Sequence, residues 1–320
     1  MGHVLAVTAP IYLLIAAGWA LARAGVFAPA DLRVLGRYVI QLALPALLFS
    51  ALSQRSLGEV LQPTFLVAYA LGSLFTIGTG LLWARRVAGK GVSASAIVAM
   101  GMACSNSGFV GFPMLSQLFG PVTAGAALAL AMIVENLLLI PLVLAIAESE
   151  GAGEGEGGGR AARLRAALGR SFQGLVRNPM IHGLLLGLLC SLLGVRLPEP
   201  VTRAVGLLAA SCSALSLVVI GGTLVGVAGR ATLRDAAVIC AGKLLLHPLA
   251  VALLVMVLPP MPRELQVSLV LLAAMPMMGI YPLLAQKYGH ESMAAASQLA
   301  ATVVSFLTLS GLVWLLRPVG

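Results

Sequence analysis

Ten apolar stretches run along the chain, at about residues 4–22, 34–52, 64–84, 93–119, 122–147, 179–197, 204–228, 233–258, 264–288 and 292–316, with short polar joints between them. A helix rising ~1.5 Å per residue needs about 20 apolar residues to cross a bilayer. The pattern therefore predicts an all-α polytopic membrane protein of about ten transmembrane helices. Two stretches are apolar throughout yet poor helices at their centres. Ser105, Asn106, Ser107, Gly108, Gly111 and Pro113 crowd the fourth, and Met275, Pro276, Gly279 and Pro282 the ninth. Glycine and proline weaken the helical ladder, and Ser and Asn side chains compete with it for backbone groups. In lipid a freed backbone group costs several kcal/mol unless protein or trapped water satisfies it, so a break at this depth predicts a lined site.

The two breaks are copies. The run Phe112 to Gly120 matches Tyr281 to Gly289 without a gap, at an offset of 169, pairing Pro113 with Pro282, Leu115 with Leu284, Gln117 with Gln286 and Gly120 with Gly289. The same offset pairs Pro10 with Pro179, Gly18 with Gly187, and Gly25, Val26 and Pro29 with Gly194, Val195 and Pro198. The first stretch lacks a basic leader and has this internal twin, so it is expected to be a retained span and not a cleaved signal. The repeat divides the chain into a five-helix unit over 1–147, a linker over 148–178 and a second five-helix unit over 179–320. Five is odd, so the second unit enters the membrane inverted, a construction used by secondary transporters whose binding sites lie at paired broken helices.

Composition narrows the class and charge orients it. The chain is 60% hydrophobic and 10% charged, with mean hydropathy +1.02, against about 25% charged for a soluble domain. With the N-terminus outside, the cytoplasmic joints hold Arg23, Arg33, Arg37, Arg85, Arg86, Lys90, Arg160, Arg163, Arg165, Arg170, Arg177, Arg230, Arg234 and Lys287. Only Arg55, Arg196, Arg203, Arg263 and Arg317 face the other side, and Lys243 lies inside a span. This asymmetry predicts a cell-membrane protein with both termini non-cytoplasmic. It also explains the basic balance without nucleic acid, since no aromatic-interleaved basic patch occurs. The linker from Glu148 to Gly159 is acidic and glycine-rich, and the basic stretch 160–177 reads either as a surface helix on the inner leaflet or as a solvated joint. The four cysteines stand singly within apolar stretches and read as packing residues, without metal or disulfide spacing.

Asn106 leads the candidates for chemistry, because its amide offers donors and an acceptor inside the break; a purely local cap is the alternative. Ser105, Ser107 and Gly108 flank it. Pro113 and Pro282 are expected in the first turn of the second half-helices, whose N-termini would converge with partial positive charge and favour an anion. Pro276, Gly279 and Tyr281 complete the second break. Glu135 and Lys243 are the charges deepest in spans, where each costs about 2.5–3.5 kcal/mol on insertion scales and so needs a partner or a task. They read as helix-dipole compensation, or as a proton carrier (Glu135) and an anion ligand (Lys243). Asn136, its repeat partner Ser305, and Gln298 are further polar candidates. His247 reads as a satisfied helix histidine. Hydrolase, metalloprotease and phosphate-loop motifs are missing, so an enzyme is not expected and no cofactor is implied.

Asn106 to Pro113 in one break, Pro276 to Pro282 in the other, and Lys243 to Pro248 between them resemble the auxin efflux carrier family over essentially the full chain. The resemblance implies the fold of bile-acid symporters and sodium/proton antiporters, with spans 1, 2, 6 and 7 as a scaffold and spans 3–5 and 8–10 as a mobile transport domain. Bacterial relatives are linked to malate, malonate and similar acids. The plant auxin carriers have an Asn-Pro-Asn run at the first break, whereas Asn106 has no adjoining proline, which favours a small carboxylate over auxin. The expectation is a secondary transporter of small organic anions, with the coupling ion (proton or sodium) open. A gated anion channel, a membrane receptor on the same scaffold, or a sodium-coupled symporter are the alternatives. The expected partners are the carboxylate and the bilayer, and a homodimer is compatible with the pattern.

Overall fold

The computed structural model describes residues 2–53, 62–149, 178–195, 197–225 and 233–316; of the linker expected over 148–178, residues 150–177, with the basic stretch, lie outside them. The described chain is helical: α1 (Gly2–Arg23), α2 (Pro29–Leu52), α3 (Pro63–Arg86), α4 (Val92–Ala103), α5 (Ser107–Glu148), α6 (Pro179–Leu193), α7 (Glu199–Thr223), α8 (Arg234–Val257), α9 (Arg263–Ala274), α10 (Tyr281–Gln286) and α11 (Glu291–Leu316). Among the described residues, seven of these (α1, α2, α3, α5, α7, α8 and α11) are long and apolar enough to cross a membrane, and α4 and α6 are shorter apolar helices. The chain is thus a polytopic helical membrane protein. At Gly120 (φ 79°), followed by Pro121, α5 bends sharply into a short arm (107–119) and a long arm (121–148).

Four of the prolines shape the described helices in the same way. Four widened π-turns occur, at Val39–Ala43, Ser107–Gly111, Glu135–Leu139 and Gly242–Leu246, and each ends two residues before a proline: Pro45, Pro113, Pro141 or Pro248. A proline has no N–H to offer the carbonyl four residues back, and its ring collides with that carbonyl. Widening the preceding turn moves the carbonyl aside, which lets the helix pass through the proline without stopping. This corrects one expectation. The short arm starts at Ser107, so Pro113 falls in its second turn, whereas Pro282 does occupy the first turn of α10.

α1 packs along α7, and α2 against α6 and α7. Glycines permit the contact: a Cβ on Gly18 or Gly221 would collide with the Val218 or Ile15 carbonyl, and one on Gly183 or Gly187 with the backbone of Pro45 or Phe49. Such small-residue seams replace the hydrophobic effect as the basis of helix association in lipid. On the other side, α3 packs on α4 and α8, α4 on the long arm of α5, α9 on α5, and α8 and α10 on α11. The short helices α4 and α9 lie innermost. From Ser95 to Ala103, and from Val267 to Ala274, every residue is buried. That explains their apolar character all round.

Candidate functional site

α4 and α9 end where the two breaks begin, and there the segments cross. Ser105 and Met277 form an antiparallel bridge: Asn106 N–H donates to the Pro276 carbonyl (2.8 Å) and Met278 N–H to the Cys104 carbonyl (3.3 Å). Each break thus satisfies backbone groups that the other has freed, as the cost of bare amides in lipid requires. Beyond the bridge the Asn106 carbonyl accepts from Val110 and Gly111 N–H, and its Oδ1 caps Phe109 N–H at 3.3 Å. Its amide NH2 makes no hydrogen bond among the described residues.

A cavity of about 710 Å³ opens from this crossing between α2 and α7 on one wall and the breaks with α5 on the other. Ser105, Asn106, Ser107, Gly108, Glu135, Asn136 and Gly279 line its head, and Ala22, Phe27, Pro29, Arg33, Arg37 and Thr223 its mouth. Pro113, Pro276, Tyr281, Pro282, Lys243, Gln298 and Ser305 do not line it. Tyr281 is fully buried with its hydroxyl donating to the Ile97 carbonyl (3.0 Å), Ser305 pairs with Tyr12 (3.0 Å), and Gln298 is buried in α11. The symmetry expected between Asn136 and Ser305 is therefore not realised at the cavity, because the long arm of α5 faces it while α11 turns toward α1.

Behind the head runs a buried hydrogen-bonded chain. Glu135 Oε1 accepts from Tyr69 (2.7 Å) and Ser107 (2.6 Å), and the Tyr69 hydroxyl lies 3.2 Å from Ser105 Oγ. Lys243 Nζ, 0% exposed, reaches Ser105 Oγ (2.7 Å), the Ala273 carbonyl (2.7 Å) and His247 Nδ1 (2.9 Å). Those contacts use all three donors of the ammonium. With Nδ1 accepting, the His247 proton sits on Nε2, 2.9 Å from Ser73 Oγ. Glu135 and Lys243 therefore form no direct ion pair; Tyr69 and Ser105 join them. Lys243 meets the carbonyl end of α9 and Glu135 the start of the short arm, where opposite charges are favourable. Tyr69 and His247, stacked 5.7 Å apart, were not singled out as site residues from the sequence. A tyrosine in the middle of α3, one of five in the chain, was the signal available.

A many-helix membrane protein whose broken segments cross at a cavity has the makings of a transporter. The comparisons agree: the family described as membrane transport protein matches residues 3–315, and the chain belongs to it, the auxin efflux carrier grouping that the crossing motifs resemble. A Rhizobium meliloti (strain 1021) protein named "Putative malonate transporter" is 26% identical over 99% of this chain and 97% of its own length. The protein is a membrane transporter and not an enzyme.

Proposed function

We propose that the protein is a secondary transporter of small carboxylates such as malonate, in the cell membrane, working by alternating access around the crossing. The observation that carries this is the Asn106 amide NH2, unpaired among the described residues and lining the head of the cavity where the two broken backbones cross. A carboxylate leaving water needs donors already in place, and the Asn106 NH2 with the start of the short arm supplies them. The architecture we propose is ten crossings in two inverted repeats. In support, the starts of α2, α3 and α4 recur at nearly the repeat offset of 169 in α7, α8 and α9. Gly25 and Gly194 also close α1 and α6 with the same left-handed turn, Val26 N–H to Leu21 O and Val195 N–H to Cys190 O. We assign α1, α2, α6 and α7 to the scaffold and the remaining helices to the moving unit.

Reconstituted protein is expected to accumulate malonate saturably against its concentration when a proton or sodium gradient is imposed. Ohmic malonate current without accumulation would make the protein a channel and sink the proposal. Orientation is tested separately in a background without the four native cysteines. A cysteine at Ser149 should resist membrane-impermeant thiol reagents in intact cells and one at Pro262 should label; the opposite pattern would invert the topology.

A further inference from the structure

The cavity has charge at both ends. Glu135 lies at its head, and two guanidiniums, Arg33 and Arg37, line its mouth from α2. Three other basic residues near helix ends are engaged: Lys90 with Asp235 (2.8 Å), Lys287 with Glu148 (2.9 Å), Arg203 with Glu199. Arg33 and Arg37 have neither an ion pair nor a hydrogen bond among the described residues. They stand four apart, and Gln41 four further on also lines the cavity, so the three form one stripe along a helix face. Gln41 sits in the widened turn before Pro45, and Leu44, one turn deeper, reaches Gly108 of the first break: a Cβ there would lie 3.3 Å from Leu44 Cδ1.

We infer that Arg33 and Arg37 form a staging site for dianions at the cavity mouth, distinct from the crossing and leading to it through Gln41. Seven residues separate Arg37 from Leu44, roughly 10 Å of helix. Arginine side chains on a helix lean toward its N-terminus, here toward the mouth. The stripe places the guanidiniums ahead of the crossing, so a dianion entering from the mouth meets them first. Two adjacent cations attract a dianion about twice as strongly as a monoanion, and walls of low dielectric focus that field into the cavity. The mouth thus selects for dicarboxylates before the crossing binds one carboxylate. The competing role for arginines at a span's end is attraction to anionic lipid, which the charge of the bilayer controls.

This inference rests on the carboxylate reading above, and the experiment separates the two. Parent, R33Q/R37Q, R33K/R37K, R86Q and N106A proteins are reconstituted in purely zwitterionic lipid, and uptake of malonate and of acetate from the mouth side is followed as ionic strength rises. The double Gln variant should raise the malonate KM about tenfold at low salt while changing the maximal rate by less than about twofold, since binding ahead of the transport step is lost. Acetate should change by about threefold or less. The parent's malonate KM should rise with salt and that of the Gln variant should stay nearly flat. R33K/R37K should restore most of the effect, and R86Q, which removes a basic charge away from the cavity, should behave as the parent. An unchanged malonate KM, equal effects on both anions, or a parent insensitive to salt would each overturn the staging site. If N106A abolishes uptake while R33Q/R37Q does not alter it, the transport reading stands and the staging site falls. Uptake of neither anion by the parent would remove both.

Discussion

At the first break the residues facing the cavity are Ser105, Asn106, Ser107 and Gly108; at the second they are Met278, Gly279 and Ile280. The offset of 169 that aligns the halves places Ala274, Met275 and Pro276 opposite Ser105, Asn106 and Ser107. Both breaks contribute backbone to the same bridge, but the first also supplies amide and hydroxyl groups, whereas Met275 is fully buried as packing. The deep charges follow no symmetry either: Glu135 aligns with Val304 and Lys243 with Leu74. A repeated backbone can thus build a crossing while, in the function proposed above, recognition is written into one copy and charge compensation is divided between them. The halves share geometry and not chemistry.

The strongest way to break this comparison is to remove one deep charge. Lys243→Ala would leave the buried Ala273 carbonyl, Ser105 and His247 without their shared donor. Breaking a buried charged network costs about 3–5 kcal/mol, a loss of thermal stability measurable in detergent. Glu135→Gln should cost less, because the amide oxygen can still accept from Tyr69 and Ser107. The double variant should lose less than the two single variants combined; strict additivity would show that Tyr69 and Ser105 do not couple the charges.

Next in size is Asn106→Ala. Losing a hydrogen bond to a charged ligand costs about 1.5–3 kcal/mol, or roughly ten- to hundredfold in malonate affinity by calorimetry. Gln117→Ala, on the same arm but exposed and outside the cavity, should leave affinity within about twofold. Equal affinities for the Asn106 variant and the parent would move recognition away from the first break.

The smallest effect belongs to the second break. A methyl on Gly279 would meet Ile220 Cδ1 at 3.5 Å and Asn106 Nδ2 at 4.0 Å, ordinary contact distances. Gly279→Ala is therefore expected to keep its fold and to change malonate affinity by about threefold or less, through reduced room beside the Asn106 amide. A loss as large as that of Asn106→Ala would show that the second break recognises the substrate as well.

The breaks and their pairing were readable because glycine, proline and asparagine are conspicuous in an apolar run. Glu135 and Lys243 stood out for the same reason. What joins them was harder to see, since Tyr69, Ser105 and His247 reach the network from α3, the first break and α8, and no spacing along the chain encodes that meeting. Arg33 and Arg37 were counted as orienting charge, and the count hid their place on the cavity wall. A basic residue at a span's end satisfies the topological rule whether it faces lipid or a cavity. Tyr281 went the other way: its position beside Pro282 suggested the site, while the packing turns its hydroxyl to Ile97.

Those widened turns bear on how variants of this chain should be interpreted. Each inserts about one residue into a helix that would otherwise keep 3.6 per turn, so side chains on either side of it are offset by on the order of 100° in azimuth. A proline a turn or so downstream of Gln41, Glu135 or Lys243 thereby sets the compass bearing of that side chain without touching it. Exchanging Pro141 or Pro248 for alanine restores an N–H able to reclaim the carbonyl four residues back, and the helix can rewind. A clinician or breeder scanning for damaging changes would pass over such a conservative-looking exchange in an apolar helix, yet it would re-aim a charge as surely as replacing it.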